Sequence, residues 1–214
     1  EIALRKCSVC IDLKTKSISF DRENRHTAKA SLLHLQSRFK ITDAAIMKGL
    51  RHTPPCRFEI ISKEQVADKG IGNFPEAVVL DVAHNPDAFD RLFISISKAF
   101  PKKPLRIVTG LSKGKDLRAC LFSMTKHSKS LHLVEASNGR GYSLQEMEEA
   151  LAEAKVKPVS LGNRICNTIE NAIKLAADNG EVLLVCGTFF IMGETRKALG
   201  IQEPQDLFDL NEHF

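Results

Sequence analysis

From about residue 57 onward the chain alternates short, continuous apolar runs with stretches of helical period, and no other feature constrains the fold as strongly. Strand-like runs fall at 58–61, at 77–81 (AVVLD, continuously apolar up to its last residue), 105–110 (LRIVTG), 130–136 (SLHLVEA), 157–161 (KPVSL) and 181–187 (EVLLVCG). Helical spacing fills the gaps, beginning at Pro86 with Phe89, Leu92, Phe93, Ile96 and Phe100 on one face, and recurring at 116–124, 143–154, 166–177 and 189–199. A run apolar at every position is buried on both sides, which is the condition of a strand in a parallel sheet covered by helices. Right-handed crossovers then put those helices on both faces. The expected class is α/β: a Rossmann-like, mostly parallel sheet with helices on both faces. In such a sheet ligands meet the carboxyl ends of the strands, so function is sought in the residues that follow each apolar run.

The first part of the chain reads differently. Residues 1–20 alternate loosely, as short half-exposed strands do. A helix follows from Asn24, with Ala28, Leu32, Leu35 and Phe39 on one face, and Thr42 caps a second helix carrying Ala45, Ile46 and Leu50. His52-Thr53-Pro54-Pro55-Cys56 ends it, because paired prolines cannot continue a helix. The expected boundary therefore divides 1–56 from 57–214.

Composition narrows the function. With 43% hydrophobic and 27% charged residues in 214, disorder, collagen-like repeats and coiled coil are excluded. The charge of +5 is thin and scattered, so no nucleic-acid partner is expected. No apolar run reaches the roughly 18 to 20 residues of a membrane span, so the expectation is a cytoplasmic protein without a membrane partner. Cys7 and Cys10 form a single CxxC with no second pair or spaced His pair, which reads as two thiols in a strand and no metal site. His26, His34, His52, His127, His132 and His213 show no ligand spacing and read as surface or core residues.

The segment 78–93, VVLDVAHNPDAFDRLF, carries the most chemistry. Asp81 ends a buried strand, and His84 and Asn85 occupy the turn before a helix opened by Pro86 and capped by Asn85. Exposed amides at the helix start favour an anion, a strand-end carboxylate accepts from ribose or base, and His84 can donate to a carboxylate or phosphate. The same residues also make an ordinary helix start, and pattern alone leaves both readings open.

AVVLDVAHNPDA resembles the DGAHNPDA motif in the C-terminal domain of folylpolyglutamate and dihydrofolate synthases, the folate branch of the Mur ligase superfamily. Four other segments agree in order. ENRHTAKASLLHL at 23–35 is similar to the helix closing the family's central ATPase domain, and PPCRFEII at 54–61 to the PGRFE segment leading into the C-terminal domain. GLSKGKDL at 110–117 resembles G(M/L)xxDKD, and LLVCGTFFIMGETRKAL at 183–199 resembles VxGSLYLVGEVRxxL. Val82 and Cys56 stand where the family has Gly, Gly114 where it has Asp, Thr188 where it has Ser, and Phe20 where a His precedes Gln and Asn. No P-loop of the form GxxxxGK[ST] is present, and the nearest stretch, 110–116, is one residue short and lacks the hydroxyl.

The resemblance implies that 1–56 is the C-terminal remnant of a Mur-type ATPase domain and 57–214 the glutamate-binding domain of a longer ligase. It implies an ATP-dependent carboxylate–amine ligase: ATP phosphorylates a folate or dihydropteroate carboxylate, and the amine of L-glutamate displaces the phosphate. ATP and Mg2+ are the implied cofactors, bound mainly by the central domain, so this chain alone is expected to be inactive and monomeric. Carried over by motif, His84 would be catalytic, Asp81, Arg57 and Asn24 would contact nucleotide, and His84, Asn85 and Thr188 would meet glutamate. Lys113, Lys115 and Asp116 are weaker candidates for an interdomain surface. The alternatives are a peptidoglycan Mur ligase and a non-catalytic nucleotide-binding module without the P-loop.

Overall fold

The computed structural model describes residues 20–136, 139–153, 155–162 and 164–201. The strands read at 1–20, the Cys7–Cys10 pair and the surface helix read in the tail at 203–214 lie outside the described residues. The chain forms two compact units that part between Pro54 and Pro55.

In the first unit, α1 (Phe20–Leu35) and α2 (Asp43–Gly49) are joined by a turn that Gln36 closes. Its side-chain amide donates to the Ile41 carbonyl at 2.9 Å and to Asp43 Oδ1 at 2.8 Å. Thr42 caps α2 as expected, accepting from the Ala45 amide at 3.2 Å. Ile46 is buried, whereas Phe39 is exposed.

The second unit is a six-stranded sheet in the order β1-β2-β6-β3-β4-β5. Its strands are β1 (Glu59–Ile61), β2 (Val78–Asp81), β3 (Leu105–Thr109), β4 (Ser130–Val134), β5 (Ser160–Gly162) and β6 (Val182–Cys186). Only β1 runs antiparallel, pairing with β2 at the edge. All five residues of β3 and of β6 are buried; β6 is a continuous apolar run, and β3 buries Arg106 and Thr109 among its apolar residues. Helices α3 (Pro86–Ala99), α4 (Leu117–His127) and α5 (Leu144–Glu153) cover one face through Phe89, Phe93, Leu121, Met124, Met147 and Leu151. Helices α6 (Ile165–Asn179) and α7 (Met192–Ala198) cover the other through Ile165, Ile169, Ala172, Ile173 and Met192. The final helix read at 189–199 is split, because a 3-10 turn at Phe189–Ile191 precedes α7.

The α3–α5 helices begin with strong caps. Asn85 accepts from the Ala88 amide at 2.9 Å with Pro86 in the first turn, and Asp116 accepts from the Ala119 amide at 3.0 Å. Ser143 and Glu146 form a reciprocal capping box: the Ser143 amide donates to Glu146 Oε2 at 2.7 Å, and the Glu146 amide to Ser143 Oγ at 3.2 Å.

One polar chain runs through the α6 side of the sheet. Arg106 Nε donates to Glu181 Oε2 at 2.6 Å, and Arg106 Nη1 donates to His132 Nε2 at 2.8 Å. His132 Nδ1 therefore carries the ring proton and donates to Ser160 Oγ at 2.7 Å. Glu181 and His132 are essentially inaccessible, and burial followed by the Arg106 charge pushes the His132 pKa down to about 4.

Candidate functional site

The chain leaves β2 and β3 toward the α3–α5 face, but leaves β6, which lies between them, toward α7 on the opposite face. A reversal of this kind opens a crevice at the carboxyl edge of a parallel sheet. Parallel register aligns Asp81 of β2 with Cys186 of β6, and Cys186 with Thr109 of β3. The residues that follow these three positions are consequently neighbours at one edge.

Asp81 is half-buried and bridges two segments. Its Oδ2 accepts from the Phe58 amide at 2.8 Å and its Oδ1 from the Ala83 amide at 2.8 Å. Burial holds the carboxyl above the ordinary aspartate range, against the two N–H donors and the charges of Arg57 and, when protonated, His84. His84 sits three residues further on, half-buried, with Nδ1 2.9 Å from the Val82 carbonyl. A carbonyl only accepts, so Nδ1 bears the proton and Nε2 of the neutral ring is left as an acceptor. Asn85 is exposed, and its oxygen is committed to the α3 cap.

Across the crevice Thr188 is almost fully buried and shares a 2.7 Å hydrogen bond with Ser112. Its Oγ1 also accepts from the Phe190 amide at 3.4 Å. Sequence reasoning missed Ser112. It lies just past the β3 run, where ligand contacts are sought, but its partner is 76 residues away. Gly187, immediately before Thr188, has φ +117, and a Cβ there would fall 2.6 Å from Thr109 Oγ1 and closer still to the Gly110 carbonyl oxygen. The ends of β3 and β6 thus approach so closely that only glycine fits.

The loop after β3 is laced to the segment before α5. The Lys113 amide donates to the Arg140 carbonyl at 2.9 Å, the Tyr142 amide to the Leu111 carbonyl at 2.8 Å, and Tyr142 Oη to the Lys115 carbonyl at 2.8 Å. Lys113, Lys115 and Asp116 are all exposed on this loop, with Asp116 engaged as the α4 cap. Arg57 is exposed and acts on Asp81 through its charge. Asn24 is exposed on α1 in the first unit.

The departures from the expected glycines have separate physical readings. Val82 has no positive φ and is buried, so that position places no demand for glycine here. Gly114 adopts φ +82, a turn conformation that glycine meets without strain. Cys56 adopts φ +59 and Phe58 φ +49, so the chain holds two side-chain-bearing residues in left-handed conformation around Arg57.

Two thiols lie under the edge without contributing a nucleophile. Burial, then the Asp81 charge, pushes Cys186 far up, and burial pushes Cys120 to about 11. Among the described residues no three His, Cys, Asp or Glu side chains gather as metal ligands, and no helix is long and apolar enough to cross a membrane.

The sheet is doubly wound, with a carboxylate, a histidine and a hydroxyl pair at its switch point, which defines an α/β domain of Rossmann-like type. Residues 57–189 match the Mur ligase family's glutamate ligase domain, and the chain belongs to that family. It is 27% identical over 173 residues to a probable bifunctional folylpolyglutamate synthase/dihydropteroate synthase of Haloferax volcanii, covering 80% of this chain and 19% of that protein. Its fold matches E. coli FolC in complex with DHPP and ADP (TM-score 0.62, 24% identity, 83% of this chain and 38% of that one). It also matches the Yersinia pestis bifunctional folylpolyglutamate synthase/dihydrofolate synthase complexed with AMPPNP and Mn (TM-score 0.58, 24% identity, 80% of this chain and 38% of that one). The chain thus spans under two fifths of the length of these relatives.

Proposed function

We propose that this chain is the glutamate ligase portion of an ATP-dependent folylpolyglutamate synthase, with 1–56 belonging to the preceding ATPase domain and 57–214 supplying the amino-acid side of the reaction. The observation that carries this reading is the meeting of Asp81, His84, Ser112 and Thr188 at the carboxyl edge of β2, β6 and β3. All four stand in segments that resemble the folate-branch motifs, and Haloferax volcanii supplies a relative named for the same activity.

The chemistry divides by residue. Arg57, always charged and exposed, suits a phosphate or the base of ATP, and Asp81 suits a hydroxyl or amino donor of the same nucleotide while it fixes the backbone at Phe58. His84 Nε2, an acceptor in the neutral ring, takes a proton from the ammonium of incoming glutamate and leaves the amine free to attack an acyl phosphate. The Ser112–Thr188 pair offers a hydroxyl donor to the substrate carboxylate. The fixed amides at the α3 N-terminus favour the same anion. ATP supplies the activating phosphoryl group.

The test uses the complete polypeptide that carries this sequence. ADP release that requires folate and L-glutamate together supports the proposal. Release with a UDP-muramoyl substrate and none with folate would move the chain to the peptidoglycan branch, and no release with either would favour the non-catalytic reading. Asp81→Ala or His84→Ala is expected to slow turnover by at least roughly tenfold, about 1.4 kcal/mol of barrier.

A further inference from the structure

We infer that Glu59 and Arg196 form a positioning pair that holds the Cys56–Phe58 segment in its left-handed conformation and thereby presents Arg57 beside Asp81. This rests on the ligand-site reading proposed above. Glu59 begins the edge strand β1, and Arg196 lies on α7, 137 residues away. Arg196 Nη1 lies 2.6 Å from both carboxylate oxygens, and the Arg196 side chain is only 10% exposed. A charge-assisted contact this sheltered fixes the carboxylate more firmly than an exposed pair would.

The same carboxylate reaches back into the strained segment. Glu59 Oε2 accepts from the Cys56 amide at 2.8 Å, while the Cys56 carbonyl accepts from the Val82 amide at 3.1 Å and the Phe58 amide donates to Asp81 Oδ2 at 2.8 Å. Every one of these bonds is made by Cys56 or Phe58, the two residues at φ +59 and φ +49. Left-handed backbone at a residue with a Cβ is unfavourable and persists only where surrounding contacts over-determine it. Glu59, Val82 and Asp81 are those contacts. Arg57 sits between the two strained residues, so the direction of its side chain follows from theirs. The effect of Glu59 and Arg196 travels through the backbone they hold.

The experiment compares wild type, Glu59→Gln, Arg196→Lys, Arg57→Ala and the Glu59→Gln/Arg57→Ala double variant in the complete polypeptide, by amide hydrogen exchange and by ATP-dependent ligase kinetics. Glu59→Gln is expected to speed exchange at the Cys56 and Phe58 amides by roughly tenfold while β3 and β6 amides keep their protection, which separates local release from unfolding. Arg196→Lys keeps the charge but carries it on a shorter, flexible stem that does not hold a nitrogen at the Nη1 position against both oxygens, and is expected to do the same. Arg57→Ala leaves that exchange unchanged and raises KM for ATP. Glu59→Gln raises KM for ATP in the wild-type background and adds nothing to Arg57→Ala, because both act through one side chain. Unchanged exchange in Glu59→Gln, or a KM effect that adds fully to that of Arg57→Ala, overturns the inference. Absence of ligase activity in wild type overturns the proposed function alone, and the exchange data still decide whether the pair holds the segment.

Discussion

Acidification is expected to destabilise this fold through one residue, His132, and the effect follows from its surroundings. The ring is wholly buried, accepts from Arg106 at Nε2 and donates to Ser160 from Nδ1. A second proton would have to sit on Nε2, facing the guanidinium 2.8 Å away. Above pH 6.5 the ring is neutral in both folded and unfolded chains, so it adds no pH dependence. Below the ordinary 6.5 the unfolded chain takes up a proton that the folded one refuses until about pH 4, so stability falls across that window and levels off beneath it. The gap corresponds to about 3 kcal/mol, a large share of a typical domain's stability. The assay is urea unfolding from pH 8 to pH 4 for wild type and His132→Gln, which retains an acceptor for Arg106 and does not titrate. Other acids titrate in both proteins, so their contributions cancel in the difference. His132→Gln is expected to be the less stable protein at pH 8 and to gain about 3 kcal/mol on wild type by pH 4. A difference that stays flat across this range would refute the reasoning, since it would mean that His132 gains its proton as easily folded as unfolded.

Further outcomes follow from single sites. Gly187→Ala is expected to lower stability by about 2 to 4 kcal/mol in thermal melts, because φ +117 and a collision with the Gly110 carbonyl and Thr109 Oγ1 act together. At position 56 the usual order of small residues inverts: both Cys56→Gly and Cys56→Ala lose the thiol, and glycine is expected to be the more stable by about 1 kcal/mol in denaturant unfolding, because φ is +59. Ser143→Ala removes the hydroxyl that accepts from the Glu146 amide and donates to Glu146 Oε2, while the Ser143 amide keeps its bond to that carboxylate, and is expected to cost about 1 kcal/mol by the same measurement. Ser112→Ala is expected to raise KM for glutamate several-fold in the complete polypeptide with the fold intact, since Thr188 keeps its bond to the Phe190 amide.

Much of the sheet was legible because its signals are local. A five-residue run that is apolar throughout, such as Val182–Cys186, has one favourable environment, and the structure buries every residue of it, as it does of the largely apolar Leu105–Thr109. The start of α3 was equally legible, since Asn85 and Pro86 act on amides within three residues. The order β1-β2-β6-β3-β4-β5 was not. It depends on where α6 returns the chain, and nothing between residues 163 and 181 records that β6 will enter between β2 and β3. Asp81 and His84 were found as motif members at the end of one strand, and Thr188 at the end of another. The companions that make them a site, Ser112 and the strained Cys56–Phe58 segment, are defined only by that insertion and by backbone angles.

The same limit explains why Glu59 and Arg196 went unread although both stand in segments singled out for other reasons. Each looks like a solvated charge in its local context, one on an edge strand and one in a short helix. Their pairing needs β1 to fold back antiparallel on β2 while α7 returns across the opposite end of the chain's own order. A carboxylate that seizes both a buried guanidinium and the amide of a left-handed cysteine converts two unremarkable charges into a constraint on Arg57. In the motif PPCRFE, the family's glycine would reach that conformation without strain, whereas Cys56 reaches it only while something holds it. Replacing the glycine therefore makes the Glu59 contact more consequential in this chain than it would be with glycine at position 56. That ordering has a direct test: Cys56→Gly should blunt the exchange response to Glu59→Gln, and an undiminished response would show that the pair works against something other than backbone strain.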